Sequence, residues 1–160
     1  MTRRLIIALA AVMAFAAATA YAAITTIPPD QYPPGCRPNG SALRGDKRNN
    51  TLDDGGNRNL LRGAGGDDDI RGGTGDDCLF GGAGRDQIIG SYGKDRIKGG
   101  RGADALRGNG NQDRLDGGAG DDRVLDKRGR NRIKCGQGID KVVTNQSSEV
   151  APNCERVTRR

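Results

Sequence analysis

Residues 72–80 read GGTGDDCLF, residues 81–89 read GGAGRDQII and residues 117–125 read GGAGDDRVL. They are copies of one nine-residue unit, and the period extends well beyond them. An aliphatic side chain recurs at every ninth position: Leu43, Leu52, Leu61, Ile70, Leu79, Ile88, Ile97, Leu106, Leu115, Val124, Ile133 and Val142. Two places before these aliphatics, from Leu52 onward, stands an Asp or Asn: Asn50, Asn59, Asp68, Asp77, Asp86, Asp95, Asp104, Asp113, Asp122, Asn131 and Asp140. A fixed short period of this kind decides the architecture before any local propensity does.

Nine residues are too few for a helix plus a strand. They suffice for one glycine-rich turn and a three-residue strand whose middle side chain points inward. Successive units then alternate between two parallel sheets. One sheet carries Leu43, Leu61, Leu79, Ile97, Leu115 and Ile133; the other carries Leu52, Ile70, Ile88, Leu106, Val124 and Val142. The expected fold is all-β: a parallel β-roll, or two-sheet β-solenoid, of nonapeptide repeats with a disulfide-linked C-terminal cap. Each rung gives the interior one aliphatic side chain, about 2 kcal/mol of burial. That barely offsets the ~1–2 kcal/mol of backbone entropy for each residue ordered. A core this thin calls for metals or disulfides.

Composition narrows the function classes. Aromatics make up 3% of the 160 residues and tryptophan is absent, so a conventional globular core is not expected. Histidine is also absent, which removes histidine-dependent triads, the usual general base and most zinc sites. Ser41, Ser91, Ser147 and Ser148 therefore have no base of that kind. The repeat itself accounts for the paired carboxylates Asp76–Asp77 and Asp121–Asp122. No enzyme activity and no small-molecule substrate are expected.

The chain divides into four stretches. Residues 1–22 read as a secretory signal: Arg3 and Arg4, an apolar run, then Ala20-Tyr21-Ala22 as a small-x-small cleavage site. The apolar run is shorter than the ~20 residues of a membrane span, so the protein is expected to be secreted and not membrane-spanning once the signal is removed. Residues 23–42 form a proline-rich leader, extended rather than sheet or helix. Residues 43–143 are the repeats, and residues 144–160 a cap over the last rung. Glu149 falls nine residues after Asp140. Four cysteines in an exported chain suggest two disulfides. Cys135 and Cys154 are nineteen residues apart, close to one eighteen-residue coil, which places them on neighbouring coils within bonding reach. Elimination then pairs Cys36 with Cys78, although nothing in the register demands it.

The repeated aspartates point to a hard cation. Carboxylates next to glycine turns with inward carbonyls form an oxygen donor set of the kind calcium takes. Turns on one edge recur every eighteen residues, so each ion would lie between neighbouring turns. One edge stacks Asn50, Asp68, Asp86, Asp104, Asp122 and Asp140; the other stacks Asn59, Asp77, Asp95, Asp113 and Asn131. Asp–Asp neighbours give about four sites on the first edge and two on the second. Sites bounded by Asn should be weak or empty. The competing reading makes these aspartates simple Asx-turn formers in a metal-independent structural or adhesive solenoid.

At this point the units resemble the glycine-rich nonapeptide repeat of the haemolysin-type (RTX) calcium-binding proteins, most faithfully in GGTGDDCLF, GGAGRDQII, GGRGADALR and GGAGDDRVL. The resemblance implies several calcium ions, and the Asp–Asp neighbours put their number at about six. Asp68, Asp77, Asp86, Asp95, Asp104, Asp113, Asp122 and Asp140 would supply carboxylates. Gly72, Gly73, Gly75, Gly81, Gly82, Gly84, Gly99, Gly100, Gly102, Gly117, Gly118 and Gly120 would supply carbonyls. DKRNNTLD and DKRGRNRIK depart from the pattern, and are expected to keep the strand without a good ion. The family is typically acidic, whereas this chain carries a formal charge of +6. Its basic residues gather on the outer face of the first sheet: Arg44, Arg62, Arg96, Lys98, Arg114, Arg132 and Lys134. That face is a candidate site for an acidic extracellular polymer. The plainer reading is a solvated face that offsets the acidic turns.

Overall fold

The computed structural model describes residues 24–160, so the signal segment at 1–22 lies outside the described residues. Two sheets alternate along the chain to form a parallel β-solenoid of about seven turns. The eight-stranded sheet runs through Thr25–Thr26, Ala42–Arg44, Leu60–Gly65, Cys78–Ala83, Arg96–Arg101, Arg114–Ala119, Arg132–Gln137 and Glu149–Val150. The seven-stranded sheet runs through Thr51–Asp53, Asp69–Thr74, Gln87–Tyr92, Ala105–Asn109, Arg123–Asp126, Lys141–Thr144 and Arg156–Arg159. Among the described residues, no helix is long and apolar enough to cross a membrane.

The register is the eighteen-residue one that the aliphatic period dictates. Leu61 pairs with Leu79, Leu79 with Ile97 and Ile97 with Leu115 in one sheet. Leu52 pairs with Ile70, Ile70 with Ile88 and Ile88 with Leu106 in the other. These side chains meet between the sheets as a single buried file from Leu52 to Val142.

Most strands of the repeat body are longer than three residues. Seven run to six, because pairing continues into the glycine turn: Gly82 pairs with Gly100 and Ala83 with Arg101. Identical turns sit one coil apart, so their backbones hydrogen-bond to each other as the strands do. This close stacking is why the second place of each unit wants glycine. Gly82 has φ +124°, and a Cβ there would overlap the Ala64 carbonyl of the coil before. Ala64 itself occupies the same place with φ +88°. An L-residue held in this region costs roughly 1–2 kcal/mol, against a smaller entropic cost of introducing glycine. Ala64→Gly is therefore expected to stabilise the calcium-loaded protein by roughly 1 kcal/mol in equilibrium denaturant unfolding.

Both ends are closed. The leader is not wholly without secondary structure: Thr25–Thr26 pairs antiparallel with Ala42–Arg44, and Pro29–Gln31 forms a 3₁₀ turn. The prolines follow the strand instead of interrupting it, so the N–H groups of Thr25 and Thr26 remain free to pair. The leader then crosses the outer face of the first sheet. Ile27 and Cys36 bury against Leu60 and Cys78, with Tyr32, Ala42 and Phe80 packed around them. The Cys36–Cys78 disulfide lies in this second, external core, with Cα atoms 6.0 Å apart.

At the other end Glu149–Val150 and Arg156–Arg159 add one rung to each sheet. Cys135 and Cys154 are disulfide-bonded across neighbouring coils, Cα to Cα 5.2 Å. The cap's first turn is one residue shorter than a repeat, so Glu149 lies opposite Arg132 and forms an ion pair with it at 3.1 Å. Glu149 therefore does not take the turn position that the nine-residue spacing suggests.

Candidate metal centres

The sixth place of every unit points into the solenoid at the turn, just ahead of the strand. All eight sixth-place aspartates are buried. One carboxylate oxygen of each is used by the fold. Asp86 Oδ1 accepts the Asp68 N–H at 2.9 Å, Asp104 Oδ1 accepts that of Asp86 at 2.8 Å, and Asp122 Oδ1 accepts that of Asp104 at 2.9 Å. The second edge repeats this: Asp95 Oδ1 accepts from Asp77 at 2.9 Å, and Asp113 Oδ1 from Asp95 at 3.0 Å. Each aspartate thus ties its turn to the one before it.

The other oxygen is left over. Oδ2 of Asp68, Asp77, Asp86, Asp95, Asp104, Asp113, Asp122 and Asp140 is buried with no hydrogen-bond partner. Buried acceptors are normally satisfied, and a whole column of them demands a positive partner. These oxygens face a common space. A Cβ on Gly81 would overlap Asp86 Oδ2 and lie 2.7 Å from the Gly99 carbonyl oxygen. A Cβ on Gly63, Gly99 or Gly117 would overlap Asp68, Asp104 or Asp122 Oδ2. It would also come within 2.6 Å of Gly81 O, 2.5 Å of Gly117 O and 2.5 Å of Cys135 O respectively. On the second edge the same holds for Gly72 with Asp77 Oδ2, with Gly90 O at 3.0 Å. Gly63, Gly72, Gly81, Gly99 and Gly117 each therefore leave open a slot walled by a carboxylate oxygen and a carbonyl of the next coil.

Asn59 shows what such a slot requires. Its amide nitrogen donates to Gly72 O at 3.1 Å, across the space where an aspartate would face that carbonyl with oxygen. With Asn the slot supplies its own donor; with Asp, acceptor faces acceptor. The electrostatics agree. Burial pushes the carboxyls of Asp95, Asp104 and Asp113 up to about 7 and those of Asp68, Asp77 and Asp122 to about 6. The N–H bond to Oδ1 opposes the shift, and the neighbouring carboxylates add to it. Asp86 and Asp140 are raised for the same principal reason.

Among the described residues no three His, Cys, Asp or Glu side chains converge as a metal cluster. The donors are instead single carboxylates plus backbone carbonyls. Such hard, all-oxygen sets favour calcium over zinc or copper.

A model of the RTX calcium-binding nonapeptide repeat matches residues 44–79, 53–88 and 89–124, together just over half of the chain. The chain belongs to the RTX calcium-binding repeat family. RTX repeats bind calcium, and their solenoids are structural rather than catalytic. No curated protein and no solved structure matches this RTX chain.

Among the expected carbonyl donors, the first-place glycines Gly81, Gly99 and Gly117 turn their oxygens toward the slots. The second-place Gly73, Gly82, Gly100 and Gly118 and the fourth-place Gly75, Gly84, Gly102 and Gly120 have positive φ and press against the coil before. Sequence reasoning missed Gly63, Gly90 and Gly108, first-place glycines whose missing Cβ atoms open the slots of Asp68, Asp95 and Asp113. Their place in the repeat marks them, although the residues around them depart from the consensus. It also missed the cap residues that complete the columns. Glu155 Oε2 accepts the Asp140 N–H at 2.9 Å, and Ser148 Oγ accepts that of Asn131 at 3.3 Å.

First-place glycines are needed for space, not for φ, since none of these RTX positions is left-handed. Gly99→Ala is therefore a clean probe of one slot. It is expected to remove one bound calcium per chain and raise the calcium midpoint for folding several-fold, as read by calcium dialysis and circular dichroism.

The basic face is less open than the sequence suggests. Arg62 Nη2 donates to the Gln31 carbonyl at 3.2 Å, and its guanidinium lies 5.6 Å from the Phe80 ring centre. Arg96 Nη1 donates to the Pro34 carbonyl at 2.8 Å. With Arg132 paired to Glu149, three of the seven basic residues already serve the leader or the cap of this RTX solenoid.

Proposed function

We propose that this protein is a secreted calcium-ion-binding repeat protein in which calcium, held between stacked Gly/Asp turns, drives folding. The observation that carries the reading is the column of eight buried Oδ2 atoms without a donor, five of which face carbonyl oxygens of the next coil. The carboxylates of Asp68, Asp77, Asp86, Asp95, Asp104, Asp113, Asp122 and Asp140 and the first-place carbonyls would hold the ions. Bound calcium supplies the positive charge that these opposed oxygens lack. The chain's own part is to align the turns at one-coil spacing, hold each carboxylate through Oδ1 and keep water out. About six ions are expected. RTX repeat proteins are typically secreted, and export into millimolar calcium suits sites in the ~10⁻⁴–10⁻³ M range of extracellular modules. Coupling of folding to binding would delay ordering until after export.

The metal-independent solenoid is the weaker reading, because it leaves these carboxylates buried and uncompensated. Equilibrium dialysis of the oxidised mature protein against calcium decides between them. Several ions per chain, undisplaced by excess magnesium, support the proposal; less than one ion per chain at 10 mM calcium overturns it.

A further inference from the structure

Asp126 stands where the repeat calls for a first-place glycine. Its side chain is fully buried, and neither carboxylate oxygen has a hydrogen-bond partner. The amides of Asn109 and Arg128 lie nearby and draw its acidity part of the way back, without reaching hydrogen-bonding geometry to either oxygen. Among the described residues no cation pairs with it; its neighbours Lys127 and Arg128 are exposed. A buried carboxylate with no partner is costly, and this one is not part of the repeated aspartate column.

Its location suggests a use. A Cβ on Gly108 would overlap Asp113 Oδ2 and lie 2.6 Å from Asp126 Oδ2. In the slots of Gly63, Gly72, Gly81, Gly99 and Gly117, the second wall is a main-chain carbonyl of the next coil. In the Gly108 slot a second carboxylate takes that place. One carboxylate leaves a divalent cation with an excess positive charge inside a slot, whereas two neutralise it.

The sequence carries the same exchange twice on this edge. Where the sixth place is Asn, at Asn59 and Asn131, the first place of the same unit is Asp, at Asp54 and Asp126. Where the sixth place is Asp, at Asp77, Asp95 and Asp113, the first place is glycine. Asp54 differs in being only half-buried and in accepting the Ser41 N–H at 3.3 Å, so its carboxylate is already engaged. Asp126 is not. The unit DKRGRNRIK, which lacks the leading glycines and the sixth-place aspartate, contributes its charge from a different position.

We propose that Asp126 and Asp113 together hold a calcium ion in the Gly108 slot, and that this two-carboxylate site is the tightest on its edge. The proposal rests on the calcium reading of the other slots and reverses the expectation that the Asp113–Asn131 pair is weak or empty.

Direct calcium counting tests it, with ⁴⁵Ca²⁺ flow dialysis of full mature protein, wild type and Asp126→Asn. Asp126→Asn is expected to lose one ion, or to weaken one tight ion at least tenfold, while the remaining ions stay unchanged. If wild type binds several ions and Asp126→Asn binds as many with equal affinity, this assignment fails and the calcium reading stands. If wild type binds none, both fail. The double variant Asp126→Gly with Asn131→Asp restores the ordinary unit and serves if the single variant does not fold. A double variant that folds but lacks or weakens the tightest ion supports the specific role of position 126. A double variant that folds with the wild-type ion count and the wild-type affinities overturns it. Failure of both variants to fold in saturating calcium, with Asp126→Ala folding normally and keeping every ion, overturns it.

Discussion

Chelation of calcium is expected to abolish most of the far-UV β signal of the oxidised mature protein, and calcium, but not magnesium, is expected to restore it cooperatively. The interior offers one aliphatic file, Leu52 to Val142, in place of a layered core. Ordinary domains are stable by only about 5–15 kcal/mol, the small difference between apolar burial and lost chain entropy. At a tenfold excess over Kd, each bound ion adds about 1.4 kcal/mol, so several sites together equal the whole stability of such a domain. Removing the ions has a further cost: it leaves eight carboxylate oxygens buried without a partner, five of them against carbonyls. Magnesium should not substitute, since it demands near-octahedral geometry and parts with its waters reluctantly. A roll that keeps its full β signal in chelator would show that the aspartates work by Oδ1 alone, as turn-to-turn hydrogen-bond acceptors.

The second large effect is a pH dependence whose sign reverses with calcium. In the ion-free fold the buried aspartates have carboxyl groups raised to about 6 or 7, against an unfolded value near ~3.9. Between these values the folded chain holds protons that the unfolded chain releases. Stability must therefore fall as pH rises from about 4 through about 7. The protonated carboxyl can donate across the slot as the Asn59 amide does. With calcium present the ion takes the proton's place and requires the ionised form, so acidification competes with binding. In chelator the residual far-UV β signal is expected to be larger at pH 5 than at pH 8, whereas in saturating calcium the thermal unfolding midpoint is expected to be higher at pH 8 than at pH 5. Shifts in the same direction under both conditions would contradict the linkage.

Much of this was legible in the residues because a repeat turns one inference into many. The nine-residue spacing of aliphatics gives both the partition into two sheets and the eighteen-residue register, and Leu79 against Ile97 is the pairing it implies. The aspartate column follows from the same spacing. Legibility ends where the chain leaves the period. Ser148 and Glu155 complete the aspartate columns only because the cap's turns have different lengths, which no nine-residue count reveals. The leader's path over Leu60 and Phe80 depends on apolar outward residues that look like ordinary flanking positions in sequence.

The sequence by itself determined the architecture, because in a solenoid each coil packs only on its neighbours and a local period is also the tertiary contact map. It also determined which carboxylates stack, since sixth-place residues recur one coil apart. Only the tertiary structure decided what those carboxylates lack and which others join them. That Oδ1 is satisfied and Oδ2 is not depends on the distance between adjacent turns. Asp126 reaches the Gly108 slot because its side chain extends toward the coil before it, a direction the spacing of letters does not contain.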